Sequence, residues 1–238
     1  MNIEDFIEIK DYYKKAGQSG KLGIAVHKSG KKYLLKRGEF GTPANEYVYS
    51  LVAKEIGVSC QTCHLVEGYD YPVVAIEFIE QMPAFRLKKF DVAAIADDIV
   101  RAYALDSVTW QDDCFQYVVD KNGKFFKIDN AEAFCYSEVI DRMLDMKGYA
   151  EDLLSDNGVA VERIVAYIRI VEKLVLEKYG KEKIAIFKDT LQRIIDTDFT
   201  FILGDVALKS VYSDKASRFF FGKIKVIQKA IATYFDGN

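Results

Sequence analysis

Asn45-Glu46-Tyr47-Val48-Tyr49-Ser50-Leu51-Val52-Ala53-Lys54-Glu55-Ile56-Gly57-Val58 decides the fold. Tyr47, Leu51, Val52 and Ile56 recur at helical spacing, which predicts a helix over 46–56. Gly57 stands at the C′ position, where a left-handed residue closes a helix. Two β-rich runs precede this helix, at 22–27 and 32–36, joined by the polar turn Lys28-Ser29-Gly30-Lys31. A short Gly-containing turn between two apolar runs is a hairpin signal. Two more strands are expected after the helix, at 58–66 and 73–78, separated by Glu67-Gly68-Tyr69-Asp70-Tyr71-Pro72. Strand, strand, helix, strand, strand makes a small α+β lobe.

Further along, Val92, Ile95, Ile99, Tyr103 and Leu105 give 90–108 one apolar side. Asp120-Lys121-Asn122-Gly123 then separates apolar runs at 115–119 and 124–128. Asn-Gly in that setting predicts a second hairpin. From 138 onward the pattern is helical, clearest over 161–179, 184–195 and 217–234. The expected fold class is α+β and two-lobed. A β-rich N-lobe with one helix covers 1–83, and a mainly helical C-lobe covers 84–238. The order of elements resembles that of protein and lipid kinases.

The 238 residues carry 33 Lys+Arg against 36 Asp+Glu, a net charge of -3. A nucleic-acid-coating protein would carry a basic surplus, so no nucleic-acid partner is expected. No apolar run approaches the roughly 20 residues of a membrane span. Met1-Asn2-Ile3-Glu4-Asp5-Phe6 is acidic and unlike a secretion signal, so the expected location is cytoplasmic. The cysteines are Cys60, Cys63, Cys114 and Cys135. Cys60-Gln61-Thr62-Cys63-His64 matches the haem-attachment string C-x-x-C-H. Zinc would need a second ligand pair, and Cys114 and Cys135 are not arranged as one. The expectation is reduced structural thiols holding neither metal nor haem.

Several residues could carry chemistry. Lys36 closes an apolar strand, as a phosphate-gripping lysine would and as a surface strand lysine also would. Gly17-Gln18-Ser19-Gly20-Lys21 is a loop whose glycines allow backbone N–H groups close to phosphate, or simply a loop. Glu46 could orient Lys36 or favour its helix N-terminus electrostatically. Asp129 follows the apolar strand Phe125-Phe126-Lys127-Ile128, where it could bind metal or start a turn.

Together these segments resemble the HipA-like kinases, which share the phosphatidylinositol-kinase-like fold. Ala16-Gly17-Gln18-Ser19-Gly20-Lys21 is similar to the family's phosphate loop, and Tyr33-Leu34-Leu35-Lys36 to its ATP-lysine strand. The helix from Asn45 to Val58 is the nearest match, and Val73-Val74-Ala75-Ile76-Glu77-Phe78-Ile79 resembles the hinge strand that meets adenine. Order and spacing agree across 16–79. The family's catalytic segment is matched in length by Leu105-Asp106-Ser107-Val108-Thr109-Trp110-Gln111-Asp112-Asp113-Cys114-Phe115. Asp113 takes the base position in the preferred register, while Cys114 and Phe115 replace Arg-His. Gln116 lies nearest the metal-binding Asn. A second register makes Asp106 the base and Gln111 the amide; Asp112 is a further candidate.

The resemblance implies an ATP-dependent Ser/Thr protein kinase using Mg²⁺ and acting on a protein substrate. Lys36 and Lys21, with Gly17 and Gly20, would hold phosphates, and Glu46 would orient Lys36. Glu77, Phe78 and Ile79 would hold adenine, Asp129 and Gln116 Mg²⁺, and Asp113 would be the base. Loss of the Arg-His pair leaves open a pseudokinase acting as a nucleotide-binding module, and a small-molecule or lipid kinase is the other alternative. The helical C-terminal half names no substrate.

Overall fold

The computed structural model describes residues 1–11, 21–37, 42–111, 115–134 and 157–237. The first lobe is a five-stranded antiparallel sheet in the order β1-β2-β3-β5-β4. Its strands are β1 (Phe6–Asp11), β2 (Lys21–His27), β3 (Lys32–Arg37), β4 (Cys63–Val66) and β5 (Val73–Glu77). β1 is an addition to the sequence-based reading. Helix α1 (Thr42–Glu55) lies on the face formed by Leu34, Leu65, Val74 and Ile76. It begins four positions before the expected 46, because Pro43 sits in the first turn, where a missing N–H costs nothing.

The opposite face of the sheet buries Phe6, Tyr33, Leu35 and Ala75 beneath Met1, Ile3, Tyr69 and Tyr71. Gly68 turns the β4–β5 connection at φ +94, and a Cβ there would sit 2.5 Å from Ile3 Cγ2. Gly68→Ala therefore meets both a disfavoured backbone and a clash. It is expected to lower stability by about 1–3 kcal/mol, read as a fall in melting temperature.

The expected strand over 58–66 is shorter in the structure. Only Cys63–Val66 pairs with β5, while the preceding residues turn to the second hairpin. Gln61 N donates to Lys127 O at 3.1 Å and Lys127 N to Ser59 O at 3.0 Å. That hairpin is β6 (Tyr117–Val119) and β7 (Phe125–Lys127), closed by Asn122-Gly123 as expected.

The helical lobe begins with the short α2 (Ala84–Leu87). The expected helix over 90–108 is a 3-10 turn, Val92–Ile95, followed by α3 (Ala96–Thr109). The bundle continues with α4 (Asn157–Tyr179), α5 (Glu182–Asp196), α6 (Val206–Val211) and α7 (Asp214–Asp236). α3 packs on α4 and α5, and α4 on α7, around Ile99, Leu105, Ile168, Phe187 and Phe220. Residues 138–156 of the expected helical region lie outside the described residues. Among the described residues no helix is long and apolar enough to cross a membrane.

One apolar cluster runs from the sheet through α1 into this bundle. Polar contacts fix the N-terminal half of α1 to the same bundle. Tyr212 OH accepts from Ala44 N at 3.1 Å, satisfying a first-turn N–H that has no helical partner. Tyr47 OH donates to Asp205 Oδ2 at 2.8 Å, while Asp205 Oδ1 caps α6 through Leu208 N at 2.7 Å. The residues on the inner side of α1 are thereby held between the two lobes.

Candidate active site

Lys36 lies in the middle of the sheet, opposite Leu22 on β2 and Val74 on β5. Its Nζ donates to Glu46 Oε1 at 2.7 Å and to Asp129 Oδ1. Burial opposes its charge, but the carboxylates of Glu46 and Asp129 outweigh burial and hold the ammonium above the ordinary lysine range. The stabilisation from this raised value is complete below the ordinary lysine pKa. It is lost only as pH climbs through the folded value, so Lys36 is a fixed cation at neutral pH.

Glu46, buried in α1, uses both oxygens: Oε1 for Lys36 and Oε2 for the backbone N–H of Asn130, at 3.1 Å. One carboxylate thus joins the sheet, the helix and the segment following β7. Asp129 sits just beyond β7 at φ 57. Asp and Asn are the side-chain-bearing residues that tolerate this left-handed region best. Asp129 Oδ2 accepts from Gln116 Nε2 at 3.2 Å, and its main-chain carbonyl accepts from Gln111 Nε2 at 2.6 Å. With a side chain 35% exposed against 2% for Glu46, Asp129 is the carboxylate of this pair that a ligand can reach.

Beneath Asp129 lies a network that sequence reasoning missed. Lys127 is fully buried; its Nζ donates to Ile128 O at 3.0 Å and Asn130 Oδ1 at 2.9 Å, and stands 3.7 Å from Asp106 Oδ2. Tyr49 OH donates to Asp106 Oδ1 at 2.7 Å. Burial pushes the Asp106 carboxyl above the ordinary range, against the opposing pull of Lys127 and Tyr49. A signal was available, because period-two alternation puts Lys127 on the same buried face as Phe125.

The other candidates are distributed as follows. Gly17, Gly20, Asp112 and Asp113 lie outside the described residues. Lys21 opens β2, opposite Arg37. Glu77 ends β5, and its carboxylate pairs with Lys31 at 3.3 Å and His64 at 3.8 Å. Glu77 shares the parity of Ala75, so that carboxylate lies on the sheet face away from Lys36 and Val74. Its backbone carbonyl accepts from Gln61 Nε2 at 3.4 Å. Phe78 N donates to Lys32 O at 3.0 Å, and Ile79 is half-buried.

Cys63 is buried on β4, and Cys60 Sγ accepts from Asn130 Nδ2 at 3.4 Å. Burial pushes the Cys60 thiol up to about 12 and raises Cys63 as well. Each unit above neutrality cuts the thiolate fraction tenfold. Iodoacetamide at neutral pH is therefore expected to leave Cys60 and Cys63 of the native protein unlabelled and to label both in denaturant, by peptide mass spectrometry. Cys114 and Cys135 lie outside the described residues.

The donor set is of the kind that can hold a magnesium ion, although no group of three or more His, Cys, Asp or Glu side chains forms a metal cage among the described residues. Mg²⁺ takes one or two hard oxygen ligands from protein and the rest from water and phosphate. Asp129 offers a half-open carboxylate with the Gln116 amide beside it. Gln111 Oε1 is buried with no hydrogen-bond partner among the described residues, a second amide oxygen next to the same segment.

No family model matches the chain, and no curated protein matches it. Among solved structures, the chain is similar to a Helicobacter pylori proinflammatory kinase, CtkA, at 12% identity and a TM-score of 0.45. The match covers 94% of this chain and 96% of that one. At this distance the likeness assigns no role to any residue.

Proposed function

We propose that the chain is an ATP-dependent phosphotransferase of HipA-like type that transfers the γ-phosphate to a Ser or Thr hydroxyl of a protein. The observation that carries this reading is Lys36, on a central strand, held by Glu46 of α1 at 2.7 Å and in contact with Asp129 after β7. Phosphoryl transfer needs a fixed cation on the phosphates, a metal-binding carboxylate and a base near the acceptor. Lys36 and Asp129 meet the first two needs from separate elements that Glu46 ties together.

Lys36 and Lys21 bind the phosphates, with the backbone of the Gly17–Gly20 loop beside them. The backbone from Glu77 to Ile79 takes the adenine. Asp129 and Gln116 hold Mg²⁺, which supplies neutralisation of the charge developing on the transferred group. Asp113 accepts the proton of the attacking hydroxyl. Asp106 is a poor base by comparison, its carboxylate being occupied by Tyr49 and Lys127 in the interior.

Calorimetric titration with Mg·ATP tests the phosphate site. Lys36→Met alone would strand the buried Glu46 carboxylate, so the informative variant is Lys36→Met with Glu46→Gln. The expected result is nucleotide affinity at least tenfold weaker than wild type. Unchanged affinity would remove Lys36 from the site.

A further inference from the structure

The segment that leaves the sheet after β5 exposes more apolar surface than its surroundings. Phe85 is 71% exposed, Leu87 49% and Val92 45%, all within or just after α2. Arg86, Lys88 and Lys89 alternate with them, are exposed, and make no ion pair with a described residue. The neighbouring acids are already engaged. Glu80 pairs with Lys121 at 2.6 Å, Asp91 Oδ1 caps Ala93 N at 2.9 Å, and Asp120 Oδ1 takes the N–H groups of Asn122 and Lys124 at 2.8 Å each. Asp91 and Asp120 form no ion pair among the described residues, so this face sets Arg86, Lys88 and Lys89 against two carboxylates, a small positive excess on a chain of net charge -3.

This face is concave. Phe85, Arg86, Lys89 and Asp91 on one side, with Lys121 and Gly123 of the second hairpin on the other, line an open groove of about 800 Å³. Met82 N donates to Val119 O at 2.8 Å, which fixes the segment to the hairpin. The hairpin's other end leads to Asp129. From Gly123 to Asp129 the chain can span about 20 Å at about 3.3 Å per residue.

We propose that this groove is a docking site for an acidic polypeptide segment carrying apolar side chains, part of the protein substrate itself. The proposal rests on the phosphotransferase reading only in naming the occupant a substrate. Exposed Phe85 supplies an anchor, and Arg86 and Lys89, which outnumber Asp91 in the lining, favour carboxylates. Gly123 of the groove and Asp129 lie at most about 20 Å apart, a gap that about six extended residues of a bound segment can span. An anionic membrane surface would also attract Arg and Lys beside Phe. It calls for a convex amphipathic helix, however, and α2 is four residues long and borders a hollow.

Fluorescence anisotropy tests this with the full chain and labelled peptides built from Glu, Phe and Leu, against peptides of equal length with Lys replacing Glu. Vesicles of phosphatidylcholine with and without phosphatidylserine complete the set. The acidic peptides are expected to bind at least tenfold more tightly than the basic ones and to weaken as salt rises. Phe85→Ser, and separately Arg86→Glu with Lys89→Glu, should each weaken binding about tenfold without lowering the melting temperature. Asp129→Asn should leave peptide binding unchanged. Equal binding of acidic and basic peptides, indifference to the groove variants, or binding of phosphatidylserine vesicles alone would overturn the proposal. Peptide capture without any phosphate transfer would leave the docking site standing and sink the kinase reading. Transfer without peptide capture would do the reverse.

Discussion

Asp129→Asn is expected to abolish Mg²⁺-dependent phosphate transfer from ATP, by about 10³-fold or more, while the fold remains intact. The substitution removes one negative charge and turns the acceptor facing Gln116 Nε2 into a donor, which a rotation of the Gln116 amide accommodates. Asn fits the left-handed backbone at φ 57 as well as Asp does, so no strain enters. Its Oδ1 can still accept from Lys36, the partner that Asp129 has now. The buried pair of Lys36 with Glu46, 2.7 Å apart, keeps its charge balance. Circular dichroism and melting temperature should match wild type within error. Transfer at the wild-type rate would make Asp129 a turn residue. Asp129→Ala is a poorer test, because Ala at that φ adds about 1–2 kcal/mol of backbone strain to the loss of charge.

Asp106→Ala is expected to cost about 3–5 kcal/mol of stability, the largest effect on folding proposed for this chain. Lys127 is fully buried, and Asp106 is the carboxylate that faces its ammonium, 3.7 Å away. Without that carboxylate a buried cation keeps only neutral oxygens from Ile128 and Asn130, and Tyr49 OH loses its acceptor. Of a total stability of about 5–15 kcal/mol, such a loss leaves a marginal fold. Adding Lys127→Met should restore much of it, since the charge that was stranded is gone. Thermal denaturation of the two single variants and the double one closes the cycle. A melting temperature unchanged in Asp106→Ala, with turnover lost, would instead make Asp106 a catalytic base. Asp113→Ala should show the opposite pattern, with stability kept and turnover reduced about 10²–10⁴-fold.

Much of this arrangement is legible in the chain, and the rest fails for identifiable reasons. The helix after β3 announces itself through Tyr47, Leu51, Val52 and Ile56, and the second hairpin through Asn122-Gly123, because both signals are local. The start of α1 is misplaced because the apolar period begins only at Tyr47, while Thr42 and Pro43 form a first turn that carries no such period. Strand β1 escapes notice because Glu8 and Lys10 interrupt its apolar residues, although such alternation suits an edge strand. The stretch after Gly57 looks like one strand, yet its first half pairs with β7, a choice made by tertiary contact.

At the site, Lys36, Glu46, Gln116 and Asp129 are each visible as candidates, and folding brings them into one contact set. Lys127, Asp106, Tyr49 and Asn130 are not visible as a unit. Asn130 caps Lys127, Asp106 faces it from α3, and Tyr49 reaches Asp106 from α1. No spacing rule connects residues from three elements, so only the assembled interior shows that this buried cation underlies the segment bearing Asp129.

The central claim is transfer of the ATP γ-phosphate at the Lys36–Asp129 site, and the most direct measurement is incubation of the pure protein with γ-labelled ATP and Mg²⁺. Label should appear covalently on Ser or Thr of the protein or of an added acidic substrate protein, should require Mg²⁺, and should be absent with Asp129→Asn. No label from the wild-type protein, or equal label from Asp129→Asn, would contradict the account.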